Sequence, residues 1–511
     1  MDSSVSNPLR VGSHLERTPE PAAVVIFGAS GDLTKRKLVP ALYGIVRTGQ
    51  VPAGLCIVGV ARRPMSDDAF REQLRQGIQE HSRLRPIDPA TWDTLAPRIK
   101  YHALDFDDRE AYRNLAAELH ALDAQFDLRG NRVYYLATPP TSFPVIAENL
   151  GAGGLAHDAT APGFRRVVLE KPFGRDLETA LELDATLGRH FKEHEIFRID
   201  HYLGKETVQN ILVLRFGNGI FEPLWNQKYV DHVQITVSED IGIENRAGYF
   251  ESAGILRDIV QNHALQLLAL TAMEAPVTWD ADAVRDEKTK VLRAIRPMTP
   301  AEIDTRAVRA QYGPGWSRGG PVPGYRAEPG VAPQSTIETF VALDLRVDNW
   351  RWAGVPFYLR AGKRLPRRVT EIAIQFKAVP HLLFGTEAPP QPNALVLRIQ
   401  PDEGISLRFV SKTPGPEVDP REVNMDFRYG TSFGQEPPEA YERLLLDAIL
   451  GDASLYIRRD MLVRSWEIVD PVERHWLEQR ADAIPSYESG TWGPVEADAL
   501  LQRAGRTWRR S

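Results

Sequence analysis

From Pro21 onward the chain alternates short apolar runs with amphipathic stretches of helical period, and this alternation limits its fold more than any other feature. Fully apolar runs suit strands buried on both faces, and helices between them supply the crossovers a parallel sheet needs. The pattern predicts strands at Ala23 to Phe27, Leu55 to Ala61, Lys100 to Phe106, Arg132 to Ala137, Arg166 to Glu170 and Ile196 to Ile199. Helices are expected over Asp67 to His81, Arg109 to Leu122 and Leu177 to Phe191, with a Gly/Ala-rich loop from Gly151 to Gly163. Such a sheet binds ligands at the carboxyl ends of its strands.

With 511 residues the chain exceeds one ordinary domain, so two are expected, over 21–200 and 201–511, after a polar tail over 1–20. A formal charge of −6 gives no reason to expect non-specific binding to nucleic acid or to an anionic membrane. Any anionic ligand must then be held by local basic clusters. The single cysteine, Cys56, lies in the apolar run Leu-Cys-Ile-Val-Gly-Val, so no intrachain disulfide can form and a reducing cytoplasm is the expected compartment. The first twenty residues carry no apolar core of a signal peptide, and no membrane span is expected.

After about Arg215 the texture changes. An amphipathic helix is predicted over Ser252 to Thr271, then charged helical segments to Arg293, then a Gly/Pro-rich connection from Tyr312 to Pro333. Val230 to Ser238, Thr336 to Val347, Pro356 to Arg360, Glu371 to Lys377, Ala394 to Gln400, Ser406 to Ser411 and Val423 to Phe427 read as strands of a large, mainly antiparallel or mixed sheet. Glu439 to Ile468 and Pro494 to Trp508 read as helical. The fold class is thus an α/β dinucleotide-binding domain plus a larger α+β domain.

The first strand runs into Phe27-Gly28-Ala29-Ser30-Gly31-Asp32-Leu33-Thr34-Lys35-Arg36-Lys37, a glycine turn before a helix. Gly28 and Gly31 would let backbone N–H groups approach a pyrophosphate at the helix N-terminus, although the spacing departs from the usual fingerprint; a purely structural turn is the alternative. The second strand ends in Ala61-Arg62-Arg63, where NAD-preferring sites place an acidic residue. Arg62, helped by Ser30, suits a 2′-phosphate instead, which favours NADP over NAD. Lys171, in Glu170-Lys171-Pro172, stands at a carboxyl strand end and can bond a sugar hydroxyl or the nicotinamide region.

The stretch Arg198-Ile199-Asp200-His201-Tyr202-Leu203-Gly204-Lys205-Glu206 packs an imidazole, a phenol, an ammonium and carboxylates into the start of a helix. That is either a phosphate seat or a solvated helix entrance. In the predicted Ser252 to Thr271 helix, His263 follows the buried stripe of Ile255, Leu256, Ile259, Val260, Leu267 and Leu270, while Arg257, Asp258, Gln261 and Asn262 crowd beside it. A core histidine is one reading; a buried imidazole with a carboxylate partner, able to take a proton from a hydroxyl, is the other. Five basic residues in Phe357 to Arg368, including Lys363 and Arg368, form either a phosphate clamp or a solvated loop. His190 and His194 share a predicted helix face without a third ligand, and no metal is expected.

Taken in order, Gly-Ala-Ser-Gly-Asp-Leu, Glu-Lys-Pro-Phe-Gly, Arg-Ile-Asp-His-Tyr-Leu-Gly-Lys-Glu, Arg-Asp-Ile-Val-Gln-Asn-His and Asp-Asn-Trp-Arg-Trp-Ala-Gly-Val-Pro-Phe-Tyr-Leu-Arg-Ala-Gly-Lys resemble the glucose-6-phosphate dehydrogenase family, from about Val24 into the C-terminal helices. The resemblance implies a Rossmann-like domain and a β+α domain, assembled as homodimers or homotetramers through the large sheet. It implies oxidation of glucose 6-phosphate to 6-phosphoglucono-δ-lactone with NADP, the entry step of the oxidative pentose phosphate pathway. By the same resemblance His263 is the general base and Asp200 its orienter. His201, Tyr202 and Lys205 hold the phosphate; Lys171, Glu239, Asp258 and Lys363 hold sugar hydroxyls or steady the phosphate. Gly28, Ser30, Gly31, Asp32, Leu33, Lys37 and Arg62 line the coenzyme site, with Lys171 near the nicotinamide. Arg368 matches a second basic residue near the substrate, with Arg367 beside it leaving that register open.

The chain departs from the family at Val369 and Ala373, where animal members carry basic residues for a second, structural NADP, so that site is not expected. Two rivals remain: an NAD(P) sugar or inositol oxidoreductase of the glucose-fructose oxidoreductase type, and a non-catalytic NADP-binding sensor. His201 and Lys205 speak against the first, and Asp200 with His263 against the second.

Overall fold

The computed structural model describes residues 19–51, 54–158, 160, 162–384, 390–433, 438–479 and 484–510. Most of the expected polar tail and part of the 151–163 loop therefore lie outside the described residues. The chain divides into two compact units, one of residues 1–171, 185–199 and 441–453, the other of residues 172–184, 200–440 and 454–511. No helix among the described residues is long and apolar enough to cross a membrane.

In the first unit β1 (Ala22–Phe27), β2 (Leu55–Ala61), β3 (Ile99–Ala103), β4 (Arg132–Leu136), β5 (Arg165–Leu169) and β6 (Ile196–Ile199) form a parallel sheet in the order β6-β5-β4-β1-β2-β3. Every residue of β1, β2 and β4 is buried, as continuous Val/Ile/Leu-rich runs require when helices cover both faces. The covering helices include Asp67–His81, capped by Ser66, and Arg109–Phe126, capped by Asp108. A late stretch of chain completes this unit: Glu442 is gripped by the Arg83 guanidinium through bonds of 2.6 and 2.8 Å, and Arg166 donates to the carbonyls of Ala448 and Ile449. The Leu177–Gly188 helix ends before His190, and His194 lies in a separate short turn, so those histidines do not share the helix face expected of them. Phe191 was expected inside that helix; Gly188 and the turn at Arg189–His190 end it first.

The second unit is built on a ten-stranded sheet. Its strands are β7 (Val230–Ser238), β8 (Ala307–Ser317), β9 (Gly320–Val322), β10 (Phe340–Arg346), β11 (Pro356–Gly362), β12 (Val369–Phe376), β13 (Ala394–Gln400), β14 (Gly404–Lys412) and β15 (Pro420–Arg428), with the two-residue β16 (Tyr456–Ile457) apart and β17 (Ser486–Ser489) at one edge. The order is β15-β14-β13-β12-β7-β11-β10-β8-β17, with β9 on β8. Only β7/β11 and β8/β17 pair in parallel. The Gly/Pro-rich passage expected as a loop thus contains two strands. Gly313 and Gly315 let β17, far away in sequence, lie close against β8, a pairing that local composition does not reveal. Likewise the expected Pro494 to Trp508 helix is shorter, Val495–Gln502, and the chain beyond it lies against β7 and β12.

The predicted Ser252 to Thr271 helix is not continuous. It breaks at Gly254, with φ +63° and ψ 172°, and resumes as a π-helical segment, Leu256–Ala264, that leads into the α-helix Leu265–Ala272. Glu338 braces the break: its carboxylate accepts from the Leu256 N–H at 2.9 Å and its backbone carbonyl accepts from Ile255 at 3.1 Å. A Cβ at Gly254 would stand 2.4 Å from the Glu338 carboxylate, in a backbone region that side-chain-bearing residues avoid. Gly254→Ala is accordingly expected to cost about 1–3 kcal/mol, read as a lower midpoint of thermal unfolding, whereas an unchanged midpoint would show that the break relaxes freely.

Candidate active site

The sequence of residues 200–206 contains no long apolar stretch, and the chain turns there tightly before the helix Glu206–Phe216, for which Lys205 is the N-cap residue. Arg198, at the start of the motif, remains in the first unit, buried and paired with Glu193 at 2.7 Å. The residues from Asp200 onward belong to the second unit, and there they meet the π-helical segment.

Asp200 and His263 are both buried, and His263 Nδ1 lies 2.5 Å from Asp200 Oδ1, which also accepts the Tyr202 N–H at 2.9 Å. Burial by itself would raise the Asp200 carboxyl, but the His263 imidazole, the hydrogen bond to it, His201 and the Tyr202 N–H hold it well below the usual carboxylate range. An ionised Asp200 fixes the tautomer of His263 with its proton on Nδ1, which leaves Nε2 as the acceptor. The Tyr202 ring stacks on the His263 ring at 4.2 Å, and the His201 ring meets it edge-on at 4.7 Å. A π-helical turn widens the helix at this place, and it carries Asp258 and His263 in one segment.

Ligand-type atoms of Asp200, His201 and His263 lie within 4.8 Å of one another. Within this group Asp200 Oδ1 and His263 Nδ1 are bonded to each other, as in an acid/base pair.

Next to the pair is a polar cluster organised by Gln400. Its carbonyl oxygen accepts from Lys205 Nζ at 3.0 Å and from Arg368 at 3.4 Å, and its amide donates to Tyr202 at 3.2 Å and to Thr370 at 3.0 Å. Of the two adjacent arginines it is thus Arg368 whose guanidinium reaches Lys205's neighbour; Arg367 accepts a bond from Ser238 through its carbonyl. Burial pushes the Tyr202 phenol up, with Glu239 and Asp200 adding to the effect and Thr370 and Arg368 opposing it. Tyr202 therefore stays a neutral donor between the imidazole and the cations.

A third group completes the site. Lys363 Nζ lies 2.5 Å from Glu239 Oε2, directly after β11, and the Glu239 N–H donates to the Gly362 carbonyl. Asp258, in the π-helical segment, accepts from Tyr249 at 3.0 Å. The structure so brings together Asp200, His201, Tyr202, Lys205, Glu239, Asp258, His263, Lys363 and Arg368 in one unit. Gln400, Thr370 and Tyr249 escaped the sequence reading. A glutamine at a strand end and a threonine in an apolar strand carry no local mark of function; only their place beside Lys205 and Tyr202 gives them one.

The coenzyme candidates lie in the first unit. Gly28 has φ +85°, and a Cβ on it would stand 2.4 Å from the Ala137 carbonyl, so only glycine fits where the turn after β1 passes the end of β4. Its own N–H and that of Ala29 bond to Val60, and the Gly31 N–H bonds to Gly28. Donors for a pyrophosphate therefore have to come from the residues after the turn, around Ser30, Asp32 and Leu33. Thr34, where a third glycine was absent, donates its hydroxyl to the Gly28 carbonyl at 3.3 Å. Asp32 is exposed and 3.6 Å from Arg36, and Lys37 is half-buried on the same segment. Arg62, one residue past β2, is exposed beside Arg63, and no carboxylate stands at that position. The tight turn and the cationic strand end fit a phosphorylated dinucleotide. Lys171 lies two residues past β5, half-buried.

Val369 and Ala373 are buried, and Arg360 of β11 lies 4.8 and 4.5 Å from the Trp492 and Trp508 ring centroids.

Residues 25–210 match the family model "Glucose-6-phosphate dehydrogenase, NAD binding domain", and residues 212–509 match "Glucose-6-phosphate dehydrogenase, C-terminal domain". The chain is 49% identical over 513 residues to glucose-6-phosphate 1-dehydrogenase 2 of Mycobacterium tuberculosis, covering 99% of this chain and 98% of that protein. It is 48% identical over 491 residues to glucose-6-phosphate 1-dehydrogenase of Aggregatibacter actinomycetemcomitans, covering 96% and 98%. Among solved structures, a glucose-6-phosphate dehydrogenase in complex with its substrate glucose-6-phosphate superposes with a TM-score of 0.87 at 37% identity, over 96% of this chain and 99% of the other. The Mycobacterium avium glucose-6-phosphate 1-dehydrogenase does so with a TM-score of 0.79 at 38% identity, with the same coverage. The chain thus belongs to the glucose-6-phosphate dehydrogenase family.

Proposed function

We propose that this protein oxidises D-glucose 6-phosphate at C1 to 6-phosphoglucono-δ-lactone with NADP, the entry step of the oxidative pentose phosphate pathway. The observation that carries this reading is the buried His263–Asp200 pair stacked on Tyr202, whose hydroxyl borders the Lys205 and Arg368 cations. A general base and an anion seat thus stand one aromatic ring apart.

Lys205, at the N-terminus of an eleven-residue helix, and Arg368 receive the phosphate, with His201 and Tyr202 as further donors. Glu239, Lys363 and Asp258 offer acceptors and a donor to ring hydroxyls. The sugar so anchored presents its C1 hydroxyl to His263 Nε2. His263 takes that proton, and Asp200 stabilises the imidazolium while keeping the ring in place. When bound, NADP supplies the hydride acceptor at its nicotinamide ring. Arg62 and Ser30 select the 2′-phosphate, and Lys171 is assigned to the sugar and nicotinamide end of the coenzyme site. Asp200 stays ionised far below neutral pH, so its own protonation does not set the acid limb of activity.

We further assign the protein to the cytoplasm, in keeping with its one cysteine, buried and with its thiol pushed up to about 12 by burial. A homodimer or homotetramer is expected to form through the large sheet, whose edge strand β15 exposes Met425 and Val423.

Absorbance at 340 nm decides the substrate: glucose 6-phosphate with NADP should give a far higher kcat/KM than glucose, and comparable values for the two sugars would favour the sugar-oxidoreductase rival. No reduction of NADP by the pure protein would favour the sensor. His263→Ala should lower kcat by roughly 10²–10⁴-fold with substrate affinity retained; near-normal turnover removes His263 from its role. Lys205→Ala should raise KM for the phosphorylated sugar while leaving the weak activity on glucose alone, and an equal loss with both sugars would contradict a phosphate contact.

A further inference from the structure

Lysine side chains are rarely buried completely unless a carboxylate receives them. Lys288 is 1% exposed, in the middle of the helix Ala281–Ala294. That helix packs on Leu265–Ala272, the direct continuation of the segment bearing His263, and on Arg459–Leu477. No hydrogen-bond acceptor among the described residues reaches the Lys288 ammonium, and the one carboxylate whose charge acts on it is Asp200. On the other side, Asp200 Oδ1 is committed to His263 and to Tyr202, while Oδ2 is buried without a partner. Lys288 makes no hydrogen bond among the described residues, Asp200 Oδ2 is buried without a donor, and the two charges stand within electrostatic reach of each other.

We propose that Lys288 is a positioning residue for proton transfer: its ammonium faces the free side of the Asp200 carboxylate and sets the basicity of His263 from behind, making a Lys288–Asp200–His263 array. The inference rests on the catalytic roles proposed above for Asp200 and His263. Electrostatically, a positive charge on the far side of Asp200 opposes a second positive charge on His263, so it keeps the imidazole neutral and ready to accept the substrate proton. Asp200 in turn is the charge that favours protonation of Lys288, against a burial that pushes this ammonium down to about 7.

The other charges near Lys288 are occupied. Arg285, on its own helix, donates to the Ala281 carbonyl and to Asp282, and opposes protonation of Lys288. Glu287 pairs with Lys290. From the Arg459–Leu477 helix, Asp460 binds Arg458 and Thr289, and Arg464 binds backbone carbonyls of Leu292 and Ile295. Leu265–Ala272 contributes no titratable group. A methionine of similar volume would avoid the cost of burying the charge, so the lysine does not serve stability.

The test is the pH profile of kcat/KM for Lys288→Met beside the unaltered enzyme and Lys288→Arg. Lys288→Met should melt no lower than the unaltered protein, keep its KM for NADP, shift the acid limb upward by about half to one pH unit, and so lose turnover on the acid side while keeping it above the shifted limb; Lys288→Arg, if it folds, should bring the limb back. An acid limb unmoved in Lys288→Met overturns the proposal. Should the variants fail to fold, the His263 ring followed by NMR in the unaltered protein decides. An inflection of His263 that the adjacent His201 ring does not share supports the array, and a titration with no inflection beyond that of His201 overturns it. That titration needs no turnover, so its result stands apart from whether the sugar phosphate proves to be the substrate.

Discussion

The hydrogen bond between His263 and Asp200 is the interaction on which the rest of the second unit's site depends. It joins a turn that follows β6 in sequence to a helix sixty residues later, and it does so with both groups out of water. A buried carboxylate is tolerated only when its charge is received. The imidazole and the Tyr202 N–H receive it on one oxygen, which leaves the other oxygen available to a further cation. The backbone around the pair is shaped to the same end. Gly254 breaks the helix, Glu338 supplies acceptors at the break, and the π-helical segment that follows carries Asp258 and His263 into one site.

The handling of charge next to that pair follows a consistent physical logic. Lys205 and Arg368 are cations brought together on a single neutral acceptor, the Gln400 carbonyl. The Gln400 carbonyl holds both cations in place without itself carrying a charge, which suits a dianionic ligand. Lys363 by contrast is paired with Glu239, and Asp258 is bonded to a neutral phenol. The cations are thus gathered at the Gln400 side of the site, as a sugar carrying a phosphate at one end would demand. A chain with net charge −6 achieves this locally, without a basic surface.

Much of this was legible in the sequence. Apolar runs buried on both faces are periodic and local, so β2, β6, β7 and β13 were readable to the residue. The residues of the nine-residue motif and His263 were legible because several reactive side chains crowd short stretches. The expected Tyr312 to Pro333 loop and the continuous Ser252 to Thr271 helix were not, since β17 reaches β8 from far along the chain and the bend at Gly254 is stabilised by Glu338 from another element.

The sequence by itself determined the alternation that makes a parallel sheet, the glycine turn that follows its first strand and the cationic end of β2. Those are properties of neighbouring residues, and hydrophobic period and side-chain type report them directly. Only the tertiary structure decided that Arg368 rather than Arg367 joins Lys205, that Gln400, Thr370 and Tyr249 belong to the site, and that Lys288 is buried within electrostatic reach of Asp200. Each of these depends on contact between segments far apart in the chain, and a burial or a distance of that kind exists only once the whole unit has packed.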